Sequence, residues 1–246
     1  MIELDNIYNE DCLIGMQDIP DKSIDCIICD LPYGQTKNDW DCMIPFEPLW
    51  KQYERIIKDN GAIILFAQGM FTANLMLSNE KLWRYNLVWK KGNRISGFLN
   101  AKHQPLRNHE DICVFYKKQP TYNPQFTEGK PLHSRGKGVH HLVNNNYGHY
   151  NEADDSRANS TEKYPISILN FEKPHPAIFP TQKPVDLVRW LIRTYTNEGD
   201  VVLDNCIGSG TTALACLKEK RHYVGFELNK DYFELALNRI KKLQND

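Results

Sequence analysis

Val201-Val202-Leu203-Asp204-Asn205-Cys206-Ile207-Gly208-Ser209-Gly210-Thr211-Thr212-Ala213 is the stretch whose reading decides the fold. A short apolar strand closes on an acid, a glycine-rich turn follows, and the spacing predicts a helix running on through Leu217. The glycines allow a tight turn and a close backbone approach, and Glu227, at the end of the next expected strand (223–226), is placed to hydrogen-bond ribose hydroxyls. This is a nucleoside-binding unit. Taken alone it fits a dinucleotide as well as S-adenosylmethionine, because G-x-G-x-x-A followed about twenty residues later by an acid is a general fingerprint. Topology separates the two. A dinucleotide domain needs a second half downstream of the acid, and after Glu227 only one helix remains, with Phe233, Ala236, Leu237 and Ile240 on one face. The missing strands are then the N-terminal ones, and the sheet is built in permuted order.

The N-terminal partner of that unit is Ile24-Asp25-Cys26-Ile27-Ile28-Cys29-Asp30-Leu31-Pro32-Tyr33. An apolar run of strand length ends at the Asp30 carboxylate, where the crevice of an open α/β sheet would receive a ligand. Pro32 fixes its own φ and pushes Leu31 toward an extended conformation, which relates the Leu31 carbonyl to the Tyr33 ring. Two acceptors beside a flat ring suit a planar ligand with an exocyclic amino group. Its nitrogen lone pair is delocalised until its hydrogens are held, and a carboxylate stabilises positive charge developing there. A strand ending in an ordinary turn is the plain alternative.

The remaining chain alternates strands and helices. A short strand and the acids at 10–11 precede a helix through Leu13, Met16 and Ile19; Asp11 and Cys12 sit at the junction, where Asp11 reads equally as a helix N-cap. A helix is expected over 46–57, stopped by Gly61, then a buried strand over 61–66, a helix over 68–77, and strands over 86–89 and 112–116. Residues 34–41 form a polar loop of the kind that closes over a substrate, and a second polar loop over 92–110 holds Lys102, His103, Arg107, Asn108 and His109. A helix over 184–196 places Val185, Val188, Leu191, Ile192 and Tyr195 on one face. This pattern predicts a mostly parallel sheet of seven strands covered by helices on both faces.

Residues 117–180 break the alternation. They are rich in Asn, Gly, Pro and Tyr and contain Lys130, Arg135, Lys137, Arg157 and Lys163. Basic groups neutralise phosphates while Asn, His and Tyr read or stack on bases, so the region suits target recognition; a flexible surface insertion is the alternative. The expected organisation is a catalytic half over 1–116, a recognition region over 117–180 and a cofactor-binding half over 181–246.

The 246 residues carry a net charge of −1, so nucleic-acid contacts have to come from local clusters and not from overall basicity. The opening residues lack the regions of a signal peptide and no apolar run reaches membrane-spanning length, so a soluble, cytoplasmic protein without a membrane partner is expected. Seven cysteines are scattered, and the C-x-x-C pair Cys26 and Cys29 lies in a strand that points them to opposite faces, which argues against a metal site.

Asp30-Leu31-Pro32-Tyr33 resembles the catalytic motif, usually Asp-Pro-Pro-Tyr, of amino-group DNA methyltransferases, which methylate adenine N6 or cytosine N4. Leu31 departs from the commoner proline but keeps the main-chain carbonyl. Asp204 to Thr212 resembles the family's cofactor loop, Asp-Pro-Phe-x-Gly-Ser-Gly-Thr-Thr, with Asn205 and Cys206 departing from it. Phe179-Pro180-Thr181-Gln182-Lys183-Pro184 is similar to the segment before the first cofactor strand, and His109-Glu110 to another recurring segment, although an interior histidine is an equal reading there.

The order of these motifs is that of the β class: catalytic, recognition, then cofactor region. The resemblance implies a circularly permuted, Rossmann-like methyltransferase fold using S-adenosylmethionine, with Asp30, Leu31, Pro32 and Tyr33 catalytic. It implies cofactor contacts from Asp11, Cys12, Asp204, Gly208, Ser209, Gly210, Thr211, Thr212 and Glu227, with Thr181 and Lys183 holding the methionine carboxylate. Lys183 also reads as a solvated charge before a helix. Double-stranded DNA is the implied partner, and a homodimer and a cognate restriction endonuclease are further expectations. An Asp-initiated motif favours adenine N6. Cytosine N4, an RNA or protein-amide substrate, and an inactive DNA-binding relative are the alternatives.

Overall fold

The computed structural model describes residues 2–34, 42–92, 95, 97–131, 160–178 and 181–245. Among the described residues, ten strands and six α-helices follow one another: β1 Asn6–Tyr8, α1 Cys12–Gly15, β2 Ile24–Cys29, α2 Phe46–Ile56, β3 Ile57–Ala67, α3 Met70–Ser78, β4 Trp83–Lys90, β5 His109–Phe115, β6 Thr127–Glu128, β7 Glu162–Lys163, β8 Ile168–Asn170, α4 Val185–Tyr195, β9 Val201–Asp204, α5 Thr211–Lys218, β10 His222–Phe226 and α6 Lys230–Asn245. The chain divides into two compact units, Met1–Asn123 with Ser167–Asp246, and Pro124–Ile166.

In the larger unit eight strands form one sheet in the order β1-β10-β9-β2-β3-β5-β4-β8. The permutation is visible at its centre, where β9 pairs in parallel with β2 through Cys26 opposite Val202 and Ile27 opposite Leu203. C-terminal strands thus lie on one side of the seam beside the outermost N-terminal β1, and N-terminal strands lie on the other. β5 runs antiparallel to both β3 and β4; every other pairing in the sheet is parallel.

β2 shows why the central strands read as unbroken apolar runs. Cys26 and Ile28 face a core shared with α4, α5 and α6, through residues such as Leu191, Ala213 and Ala236. Ile27 and Cys29 face a second core shared with α1, α2 and α3, through Cys12, Tyr53 and Phe71. Both faces are covered, so from Cys26 to Cys29 neither carries a charged residue.

Three expectations need correction. The sheet has eight strands, not seven: β8 lies within the irregular 117–180 stretch and pairs with β4, but at three residues it is too short to show a period. Gly61 does not stop α2, which ends at Ile56 and passes straight into β3. Lys58, Asp59 and Asn60 look like a turn in sequence, but Ile24 pairs with Ile57 and Cys26 with Ala62, so they form a bulge inside the strand. Lys58 is anchored there on Asp25 at 2.6 Å, and a Cβ at Gly61 would stand 2.7 Å from the Asp25 carbonyl. Finally, Leu237 is 39% exposed, so the inner face of α6 is carried by Ala236 and Ile240 with Phe233 half-buried.

In the smaller unit β6 and β7 pair antiparallel, Thr127 opposite Lys163, and the Phe126 and Tyr164 rings lie 4.9 Å apart. Arg135, Lys137 and Arg157 lie outside the described residues, as do most of the 34–41 loop and Phe179-Pro180. Among the described residues no helix is long and apolar enough to cross a membrane.

Candidate active site

β9 and β2 are adjacent and parallel, so their carboxyl ends place Asp204 and Asp30 side by side at the point where the strand order reverses. That is where an open α/β sheet leaves a crevice. A cavity of about 860 Å³ opens there, within the size range of small-molecule sites. Asp30, Leu31, Pro32 and Tyr33 line it. So do Asp11, Cys12, Thr181, Lys183, Asp204, Gly208, Ser209, Thr211, Thr212 and Glu227.

Gly210 alone among the sequence-predicted residues stands behind the lining. Its φ of +79° is left-handed, and a Cβ would come within 3.0 Å of Ala236 Cβ on α6. It therefore serves the turn and the packing of loop on helix.

At the β2 end, Tyr33 donates its hydroxyl to Asp30 Oδ1 at 2.8 Å, and its ring rests 4.7 Å from Phe71. The Leu31 side chain is buried in the core around α1–α3. Lys183 donates to the other oxygen, Asp30 Oδ2, and also lies 3.3 Å from Glu110 Oε2; Glu110 Oε1 in turn accepts from Lys91. Burial pushes the Asp30 carboxyl up and Lys183 partly offsets this. Burial is the largest single influence on Glu110 and Lys183 and opposes both charges, but Lys183 and Lys91 together hold Glu110 below its ordinary range, and Asp30 and Glu110 together hold Lys183 above its own. Lys183 is thus not a solvated charge: it is buried against a catalytic candidate.

At the β9 end the loop is held from beneath. Asp204 is buried, accepts from Thr212 Oγ1 at 2.5 Å and from the Cys206 amide at 3.1 Å, and is pushed up to about 7 by burial. The amides of Gly208 and Asn229 donate to the two oxygens of Glu227 at 2.9 and 2.7 Å. Each oxygen keeps a lone pair for a further donor such as a ribose hydroxyl. Arg239 from α6 fastens the loop by donating to the Ser209 carbonyl.

The two departures from the familiar loop form a buried knot. Asn205 accepts from Tyr53 Oη at 2.5 Å and reaches the sulfurs of Cys12 and Cys206 at 3.5 and 3.6 Å. The hydrogen bond with Cys206 pulls the Cys12 thiol down. Asp11 accepts from the Leu13 amide at 2.7 Å, so it is the N-cap of α1 as well as part of the cavity rim. Thr181 sits exposed at the rim, and His109 is exposed while its neighbour Glu110 points inward.

Glu110, Lys91 and Arg239 were not singled out by residue chemistry. Glu110 carried a signal, the His-Glu pair at the head of a strand; Lys91 follows Lys90 and reads as an ordinary surface charge.

The permuted sheet thus sets an Asp-Leu-Pro-Tyr strand end beside a glycine loop within one cavity. The sequence matches the family model of N6/N4 DNA methylases over residues 24–238, and the chain belongs to that family. Among curated relatives it is 26% identical to the type II methyltransferase M1.MboII of Moraxella bovis, over 99% of both chains. The solved structure of M1.HpyAVI in complex with S-adenosylmethionine is similar at a TM-score of 0.63 and 22% identity, covering 95% of this chain and 98% of that one. The cytosine-N4-specific PvuII DNA methyltransferase is similar at a TM-score of 0.69 and 15% identity, covering 95% and 85%. These likenesses confirm the permuted methyltransferase fold.

Proposed function

We propose that this protein methylates a specific sequence in double-stranded DNA, transferring a methyl group from S-adenosylmethionine to the N6 amino group of an adenine turned out of the duplex. The observation that carries the reading is the placing of the Asp30 carboxylate beside the Tyr33 ring, at the end of the strand next to the glycine loop, within one cavity.

The residues present fit the cofactor. Glu227 retains acceptors for ribose hydroxyls, Gly208 keeps the loop backbone close to the cavity, and Asp11 and Cys12 line the same end. Once bound, S-adenosylmethionine supplies a sulfonium methyl that is already electrophilic. Asp30 needs only to accept a hydrogen of the target amine and hold the positive charge that develops on its nitrogen, with the Leu31 carbonyl taking the second hydrogen. Both Asp30 oxygens are engaged, by Tyr33 and Lys183, yet each has a second lone pair free. A base inside a duplex cannot reach this site, and the Tyr33 ring, backed by Phe71, provides a surface on which an extruded base stacks. We assign sequence recognition to the 117–180 region, on its basic and base-reading residues. A homodimer and a cognate restriction endonuclease belong to the same reading as expectations.

The similarity to the PvuII enzyme favours a second reading, cytosine N4, with the same chemistry in a pocket shaped for a pyrimidine. The role of Asp30 is tested by Asp30→Ala: methyl transfer should fall by about a hundredfold or more, while calorimetry shows S-adenosylmethionine binding largely retained. Near-normal turnover in that variant would refute the role.

A further inference from the structure

Four charges alternate along one buried line: Asp30, Lys183, Glu110 and Lys91. Lys183 donates to Asp30, and its Nζ meets Glu110 Oε2 as an ion pair at 3.3 Å, without the geometry of a hydrogen bond; Glu110 Oε1 accepts from Lys91. The side chains of Lys91, Lys183 and Glu110 are only 3%, 9% and 11% exposed, so water screens them little. Aromatic rings wall the line, with Phe66 5.0 Å from the Lys183 ammonium and Trp89 5.3 Å from that of Lys91. The line joins β5, the residue after β4, the loop before α4 and the end of β2. Its net charge is zero.

A carboxylate that accepts hydrogens from a weakly basic amine has to be ionised without being consumed by its counter-ion. A lone lysine in a dry site would hold Asp30 too strongly. We propose that Glu110 is a positioning residue for Asp30: by sharing the Lys183 ammonium it sets how tightly that ammonium clamps the carboxylate, and so how much of Asp30 is left to accept the target amine. The proposal rests on the reading of Asp30 as the amine's acceptor.

The charged and titratable groups around Asp30 are Lys183 from the loop before α4, Glu110 from β5, Tyr33 from its own loop, Asp204 from β9 and Cys29 from its own strand. Burial raises Asp30, Lys183 lowers it and Glu110 raises it again. Removing the Glu110 charge frees Lys183 to act on Asp30 alone, which lowers the pH at which Asp30 ionises and weakens it as an acceptor.

The test uses the full chain, labelled S-adenosylmethionine and genomic DNA from a methylation-deficient bacterium, with turnover followed against pH. In Glu110→Gln, plateau turnover should fall about tenfold and the acid limb should move down by about one pH unit. KM for S-adenosylmethionine should stay within about twofold. Glu110→Gln strands the buried Lys91, so the double variant Glu110→Gln with Lys91→Met, which leaves Asp30 and Lys183 as a neutral pair, separates positioning from charge balance. The same lowered turnover and shifted limb in the double variant support positioning. An unmoved acid limb in both variants would overturn the proposal, as would wild-type turnover in the double variant, which would make Glu110 merely the counter-ion of Lys91. If Asp30→Ala keeps its turnover, the reading of Asp30 falls first and takes the proposal with it.

Discussion

Asp30 and Tyr33 were legible because their relation is local. Three residues apart at a strand end, with a proline between them, they meet through a hydrogen bond of 2.8 Å. Glu110 was not, because what makes it matter is an ion pair with Lys183, far along the chain, and Lys91 was not, because it reaches that pair only through Glu110. Charge alone cannot announce such a pairing. Asp204 shows a further consequence of burial at this scale. Burial pushes its carboxyl up to about 7 in the folded protein, against an ordinary 3.8. A carboxyl raised in this way stabilises the fold fully below the unfolded value, and that contribution is lost as pH rises through the folded one. Asp204→Asn should therefore gain stability relative to the wild type as pH rises from about 4 to 7, on the order of a few kcal/mol, when followed by urea unfolding. A stability difference that does not change across this window would show that Asp204 is ionised in the folded protein throughout it.

Among elements, segments bounded by a clear period or by glycine were readable, and those that are bulged or lie in irregular sequence were not. β9, α5 and β10 fall close to their expected bounds because period and glycine placement agree. β3 begins at Ile57, well before Gly61, because a bulge with three polar residues imitates a turn; β8 is a strand only through its pairing with β4. The 117–180 stretch combines both problems, since one part joins the sheet and another forms the Pro124–Ile166 unit. Assigning recognition to that stretch predicts that deleting 129–164 abolishes the preference for one DNA sequence while S-adenosylmethionine still binds. The preference is read by sequencing methylated sites and the binding by calorimetry. An unchanged preference would sink the assignment.

At the scale of the whole molecule, the expectation that N-terminal strands complete the sheet of the C-terminal glycine-loop unit is met, since β2 lies beside β9. That adjacency puts Asp30, the proposed amine acceptor, next to Asp204 at the head of the proposed cofactor loop, although the two acids lie 174 positions apart in the chain. The fold was therefore legible from strand order, whereas for the choice between adenine and cytosine the sequence offers only the Asp-initiated motif, which favours adenine without describing the shape of the base pocket. The most direct test is to incubate the purified protein with labelled S-adenosylmethionine and unmethylated DNA, digest to nucleosides and identify the labelled product by mass spectrometry. The account predicts N6-methyladenine. N4-methylcytosine would contradict the choice of base while leaving the role of Asp30 in place, and the absence of any labelled nucleoside, with cofactor binding confirmed, would contradict DNA as the substrate.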